Sequence, residues 1–275
     1  MDSLNPEAAS HYDEGREHQR LSSPQGRLEF ERSKDIIARN LFKLPAKILD
    51  LGGGTGHYSF WLANLGYEVH LVDAMDNHIE TAQKVVQFYS LSSITVGDAR
   101  GTKFSDESFD VVLMMGPLYH LTDKRDRLCA LEEAKRVLKP GGRMMAVCIS
   151  KFASLLDGYQ SGFITDETFQ SIVEQDLIDG QHRNPQNHPH YFTTTKFHEP
   201  SEFREEIEEA GFFDITLHAV EGFAAQLPDL DAKMSDESAK ALMFHHLRTV
   251  ESEPSLLGCT PHVIAVARKW IAPRE

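Results

Sequence analysis

The stretch "KILDLGGGTGHYSF", residues 47–60, runs from a short apolar segment into four glycines interrupted by a single threonine. A loop of this kind, following a first strand and opening a first helix, stands where an open α/β sheet receives its ligand. The spacing narrows the ligand. A phosphate-binding P-loop needs Gly-x-x-x-x-Gly-Lys-Ser/Thr, but His57 and Tyr58 follow Gly56. A dinucleotide fingerprint, Gly-x-Gly-x-x-Gly, started at Gly52, would place its third glycine at His57. The pattern present is Gly52-x-Gly54-x-Gly56.

Three acids stand around this loop. Asp50 precedes it, Asp73 ends the next strand segment "YEVHLVD", and Asp98 lies in "VGDAR" after the third. A carboxylate beside a pyrophosphate is repulsive, and the loop carries no cation to offset it. Beside an ammonium or a sulfonium the same carboxylate is attractive. At the end of the adjacent strand, Asp73 is placed to accept both hydroxyls of a ribose. Asp98 is placed to accept from an exocyclic adenine amine. The three together describe a nucleoside that carries a positive charge and no phosphate.

Outward from the loop, strands and helices alternate. "AKILDL", "YEVHLVD", "SITVGDA", "SFDVVLMMG" and "RMMAVCI" read as strands. The spacing of Tyr58, Trp61, Leu62 and Leu65 predicts a helix stopped by Gly66. Ile79, Ala82, Val85, Val86 and Tyr89 predict a second helix, and Leu128, Leu131, Ala134, Val137 and Leu138 another. The alternation predicts a parallel sheet with helices on both faces. Upstream, "SSPQG" reads as a break before helical spacing through Leu28, Ile36, Ile37 and Leu41. Residues 151–200 mix aromatic, histidine and polar residues without a clear period. Ser201 is the expected N-cap of a later helix carrying Phe203, Ile207 and Ala210, and "DITLHAV" and "HVIAVARKW" are the closing strands.

These motifs in order, "ILDLGGGTGHYSFWLANLGYEVHLVD", "VGDAR", "FDVVLMMGPLYHLTD" and "EAKRVLKPGG", resemble class I S-adenosylmethionine-dependent methyltransferases. The resemblance is nearest to the small-molecule enzymes of the ubiquinone/menaquinone-biosynthesis type. It is strong over residues 45–150 and weak over the last two strands. It implies a Rossmann-like α/β fold: a seven-stranded, mostly parallel sheet with helices on both faces and the last strand antiparallel. It also implies S-adenosyl-L-methionine as cofactor and methyl transfer by in-line displacement. On that resemblance Gly52, Gly54 and Gly56 line the methionine part, Asp73 holds the ribose, Ala74 and Met75 pack on the adenine, and Asp98 with Ala99 reads its edge. The family usually shows "GCGxG" where this chain has "GGGTG", a common variant.

Four segments follow: a helical segment at 1–44 covering the cofactor, the cofactor-binding core at 45–150, a lid or substrate insertion at 151–200, and the rest of the core sheet at 201–275. The acceptor is expected beyond "GPLYHLTD", where Gly116 exposes backbone. Tyr119 and His120 are the candidates there for catalysis and substrate contact, His120 as a base or an orienting group. The same resemblance implies Tyr12 and Arg20 at the cofactor's carboxylate end, with a solvated amphipathic helix as the alternative. The insertion brings Tyr191 to the substrate. Its histidines at 182, 188, 190 and 198 lie near no cysteine, and His188-x-His190 sits between prolines in no regular element, so no metal is expected.

The 275 residues suit one large α/β domain or a core with a cap. A formal net charge of −14 argues against nucleic-acid and anionic-membrane partners. Three scattered cysteines form no disulfide framework or zinc spacing, and "MDSLNPEAAS" has no secretory pattern. The expectation is a cytoplasmic enzyme acting on a small molecule at oxygen, nitrogen or sulfur, compatible with a homodimer. A tRNA methyltransferase and a non-catalytic S-adenosylmethionine-binding partner or sensor are the alternatives.

Overall fold

The computed structural model describes residues 23–86, 90–184, 186, 188 and 191–270. In chain order the elements are α1 (Pro24–Asn40), β1 (Lys47–Leu51), α2 (His57–Asn64), β2 (Glu68–Asp73), α3 (Asp76–Val85), β3 (Ser93–Val96) and β4 (Phe109–Met114). There follow the one-turn α4 (Pro117–His120), α5 (Lys124–Val137), β5 (Leu138–Ile149), α6 (Ala153–Ser161), α7 (Glu167–Asp179), β6 (Gln181–His182) and β7 (Thr195–Lys196). The chain then forms α8 (Pro200–Glu209), β8 (Phe213–Ala219), α9 (Leu230–Ser235), α10 (Glu237–Val250) and β9 (His262–Arg268).

Seven strands form one sheet in the order β3-β2-β1-β4-β5-β9-β8, mostly parallel with the last strands antiparallel, and β6 with β7 makes a separate two-stranded pair. β1 lies in the interior of the sheet, parallel to β2 on one side and β4 on the other. Ile48, Leu49 and Leu51 are fully buried, as a strand covered on both faces requires. Connections leave β1 toward β2 and β3, and leave β4 toward β5. This reversal is the topological switch point at which ligands bind in such sheets. The glycine loop follows β1 and "GPLYH" follows β4, so both face that point.

By internal contacts the described residues divide into two units. One comprises residues 39–147, 204–216 and 265–275 and holds β1 to β4 with most of β5. The other comprises the described residues of 1–38, 148–203 and 217–264. Within this second unit, Leu28 of α1 packs with Ala224, Leu230, Met234, Met243, Phe244 and Leu247. A separate cluster joins Phe169, Ile172, Val173 and Tyr191.

Several local readings change. "SSPQG" is a helix start, not a break: the Ser23 hydroxyl accepts from the Gly26 amide at 3.0 Å, and Pro24 occupies the first helical position, where its missing N–H costs nothing. Ser201 is no N-cap, because α8 already begins at Pro200. The buried face of α2 is Ser59, Phe60 and Leu62, while Leu65 is 46% exposed. Tyr89 lies outside the described residues. "KPGG" belongs to β5, whose pairing with β4 shifts register between Phe109 and Val111.

Among its described residues, the stretch without a clear period holds the α-helices α6 and α7. In α7 the buried residues are Phe169, Ile172, Val173 and Asp176, a helical spacing whose last position is an acid. Asp176 is tolerated there because its Oδ2 accepts from the Ser154 hydroxyl at 2.6 Å and the His182 ring Nδ1 at 2.8 Å. The helices α9 and α10, between the two closing strands, have no counterpart in the sequence reading. No helix among the described residues is long and apolar enough to cross a membrane.

Candidate active site

The glycine loop is shaped by backbone demands. Gly52, Gly54 and Gly56 have φ of +75°, +58° and +89°, a region that side chains disfavour. A Cβ on Gly52 would fall 2.8 Å from the Pro117 ring, so this loop and the segment after β4 touch through bare backbone. Gly53 has an ordinary φ but no room, since a Cβ there would lie 2.5 Å from the Asp50 carboxylate. The run "GGGTG" is therefore what this site requires. The Gly52 and Gly53 amides both point to the Val72 carbonyl at the end of β2, at 2.7 and 3.2 Å.

Asp73 fastens the loop to β2. Its Oδ2 accepts from the Gly54 amide at 2.8 Å, and its Oδ1 accepts from the Met75 amide at 2.9 Å. The Nδ1 of His78 lies 3.0 Å from the same Oδ1. Ala74 beside it is exposed and Met75 half-buried. His78 was not singled out in the sequence; its signal was its position five residues after Asp73, in the first turn of α3.

Asp50 is fully buried beneath the loop. Its Oδ2 accepts from the Ser59 hydroxyl of α2 at 2.7 Å, and its Oδ1 has no hydrogen-bond partner among the described residues. Burial pushes its carboxyl up to about 6 from an ordinary 3.8, the Ser59 hydroxyl opposing and the Asp73 charge adding to the rise. Raising a carboxyl's pKa means that the folded state holds its proton more tightly, so stability is lost as pH rises from about 4 through about 6. A gap of about two units corresponds to roughly 3 kcal/mol. Asp50→Asn, which does not titrate, should gain stability relative to the parent by about that amount between pH 4 and 7. Urea unfolding midpoints at the two pH values measure it, and a constant difference would count against it.

Asp98 is held by a neighbour the sequence reading passed over. Arg100 approaches both oxygens with its side chain, at 2.6 Å from Nη2 to Oδ2, and also donates its amide to Oδ1 at 2.8 Å. Its Nη1 extends to Asp126 of α5 at 2.9 Å. These bonds hold Asp98 below the usual carboxylate range. Ala99 is buried beside it.

After β4, Gly116 leads into α4. A Cβ on Gly116 would lie 3.4 Å from the Gly52 carbonyl and 3.6 Å from the Tyr119 hydroxyl, so the phenol points back toward the loop. Tyr119 and His120 are half-buried, their rings edge to face at 4.6 Å. The structure thus brings Asp50, Gly52, Gly54, Gly56, Asp73, Gly116 and Tyr119 around one switch point. Tyr12 and Arg20 lie outside the described residues, as does His190.

Tyr191 takes a different place from the one expected. It is 5% exposed, its ring packs against Phe163 and Phe169 and stacks on His188 at 4.1 Å, and its hydroxyl is engaged by Asp166. It builds the core of the insertion, because a ring enclosed by three aromatic neighbours has no face left for a substrate. His182 is buried as well, stacked on Phe197 at 4.6 Å with its Nδ1 on Asp176.

A sheet of this order with a glycine loop after β1, an acid at the end of β2 and a further opening after β4 defines the class I methyltransferase fold. Residues 49–146 match the family of the methyltransferase domain. Over these residues the chain is similar to methyltransferase domains, and its sheet has the Rossmann-like fold of such enzymes. Methyltransferase GfsG of Streptomyces halstedii is 32% identical over 137 residues, 47% of this chain and 48% of that protein. A demethylmenaquinone methyltransferase of Lysinibacillus sphaericus is 32% identical over 132 residues, 47% of this chain and 54% of that protein. The chain spans about half the length of the curated relatives it matches. Among solved structures, a Thermotoga maritima S-adenosylmethionine-dependent methyltransferase, described as a possible histamine N-methyltransferase, superposes with a TM-score of 0.59. It is 16% identical and covers 96% of this chain and 100% of its own, a likeness of fold.

Proposed function

We propose that the protein is an S-adenosyl-L-methionine-dependent methyltransferase acting on a small molecule. One observation carries this reading: a carboxylate-anchored glycine loop beside a buried acid, one of whose oxygens has no partner among the described residues, at the switch point of the sheet. The residues suit a cationic nucleoside. Asp50 and Asp73 supply negative charge, Gly52 and Gly53 leave space where a Cβ would collide, and Asp98 stands at the next strand end for the adenine edge. When bound, S-adenosylmethionine would supply an electrophilic methyl group, passed in line to the acceptor with the neutral thioether sulfur as leaving group. The chain's part is alignment, which can be worth roughly 7–11 kcal/mol. Tyr119 is the wall against which an acceptor is oriented, and His120 beside it is the group for a proton where the acceptor must lose one.

The acceptor atom is proposed as oxygen, nitrogen or sulfur. Several relatives are named C-methyltransferases of ubiquinone and menaquinone biosynthesis, which extends the proposal to an activated carbon. Their acceptors, by name, are small molecules, and the charge of −14 supports the same for this chain over tRNA. Residues 151–200 are proposed to set acceptor choice. Titration calorimetry is the test. S-adenosylmethionine and S-adenosylhomocysteine should bind, with ATP and NAD giving no heat. Tight NAD or ATP binding without either adenosyl compound would overturn the reading.

A further inference from the structure

Asp73 is more occupied than a free ribose acceptor would be. A carboxylate offers about four acceptor positions. Three are used by the Gly54 amide, the Met75 amide and the His78 ring, at 2.8, 2.9 and 3.0 Å. Two ribose hydroxyls would bring the total to five. One partner must leave. The two amides belong to backbone fixed by the glycine loop and by the entry to α3. The imidazole is a side chain that moves by rotation about χ1 and χ2. It also lies over the loop, where a Cβ on Gly54 would be 4.0 Å from its Nδ1.

We infer that His78 is a latch on the ribose site: its ring holds the Asp73 carboxylate when no nucleoside is present and is displaced from Oδ1 when both ribose hydroxyls engage. The inference rests on the cofactor reading above. It makes His78 a positioning residue that acts through Asp73. It also gives the latch a chemical signature. A nucleoside with one vicinal hydroxyl needs only the fourth acceptor position and leaves the ring in place. Removing the ring therefore favours the ribo compound selectively.

The test compares S-adenosylhomocysteine with its 2′-deoxy analogue by calorimetry, in the parent and in His78→Leu. The variant should bind S-adenosylhomocysteine about three- to tenfold more tightly, the range of one net hydrogen bond. Its affinity for the deoxy analogue should change by less than about twofold, because no hydrogen bond is exchanged. In the parent protein, the His78 ring nitrogen resonances, identified by their loss in the variant, should shift on saturation with S-adenosylhomocysteine. The variant serves here only to assign the resonances; the shift is read in the parent. Unmoved ring resonances at saturation, weaker binding by the variant, or equal changes for both ligands would overturn the latch. Absence of binding by the parent would overturn the cofactor reading, and the latch with it.

Discussion

Asp73→Ala should reduce S-adenosylhomocysteine binding by at least a hundredfold, beyond what titration calorimetry detects at ordinary concentrations. The carboxylate has two roles in the proposed site. It would accept the ribose hydroxyls, and charge-assisted hydrogen bonds are worth roughly 1.5–3 kcal/mol each. It also holds the Gly54 and Met75 amides, so the loop loses its anchor in the same substitution. Both losses act in one direction, and at about 1.4 kcal/mol per tenfold even one ribose bond plus the anchor exceeds a hundredfold. Asp73→Asn should fare little better. One of its two positions becomes an NH2 facing a backbone N–H. Affinity within about threefold of the parent, where a lost charge-assisted bond predicts more than tenfold, would show that the ribose lies elsewhere.

The second large effect concerns Arg127, which supports the segment leaving α4. Its guanidinium is 3% exposed and makes a paired contact with Glu206 of α8, Nε to Oε2 at 2.8 Å and Nη2 to Oε1 at 2.6 Å. The remaining Nη1 donates to the carbonyls of Leu121 and Thr122, at 2.9 and 3.0 Å. Those two residues directly follow His120. Arg127→Met leaves the Glu206 charge buried and both carbonyls short of a donor. Breaking a buried ion pair from one side costs roughly 3–5 kcal/mol. For a chain of this size the melting temperature should fall by about 6–20 °C. The double variant Arg127→Met with Glu206→Met removes the unpaired charge and should recover much of the loss. Circular dichroism melts of the three proteins decide it: a single variant that melts like the parent, or a double variant no better than the single, would refute the account.

The two effects differ in how far they could be read from the chain alone. Asp73 was legible, because a strand's last residue at the carboxyl edge of a parallel sheet has one place to go. So were the glycines and Asp50, since their spacing along the chain is their spacing in the site. Arg127 was not. In the sequence it is one of several charges on α5, and its partner lies 79 residues away. The same holds for Arg100 and Asp126, and for Ser59, which looks like an ordinary polar residue in α2 until Asp50 is placed beneath it.

Tyr191 shows the reverse error. An aromatic residue among histidines and prolines reads as a pocket wall, but the ring is enclosed by Phe163, Phe169 and His188. The helix carrying Phe169 was hidden because Asp176 interrupts its apolar face, and only the distant His182 and Ser154 make that burial tolerable. Periodicity detects apolar faces; it cannot detect a polar group whose partner comes from another element.

The sequence alone determined the alternation of strands and helices, the place of the glycine loop and the identity of the acids at the strand ends, because all three are set by neighbours within a few residues along the chain. The tertiary structure decided which polar residues are buried as partners, that Tyr191 is core, and that His78 shares the Asp73 carboxylate. Those outcomes depend on which elements meet, and a carboxylate's hydrogen-bond count exists only once they have met.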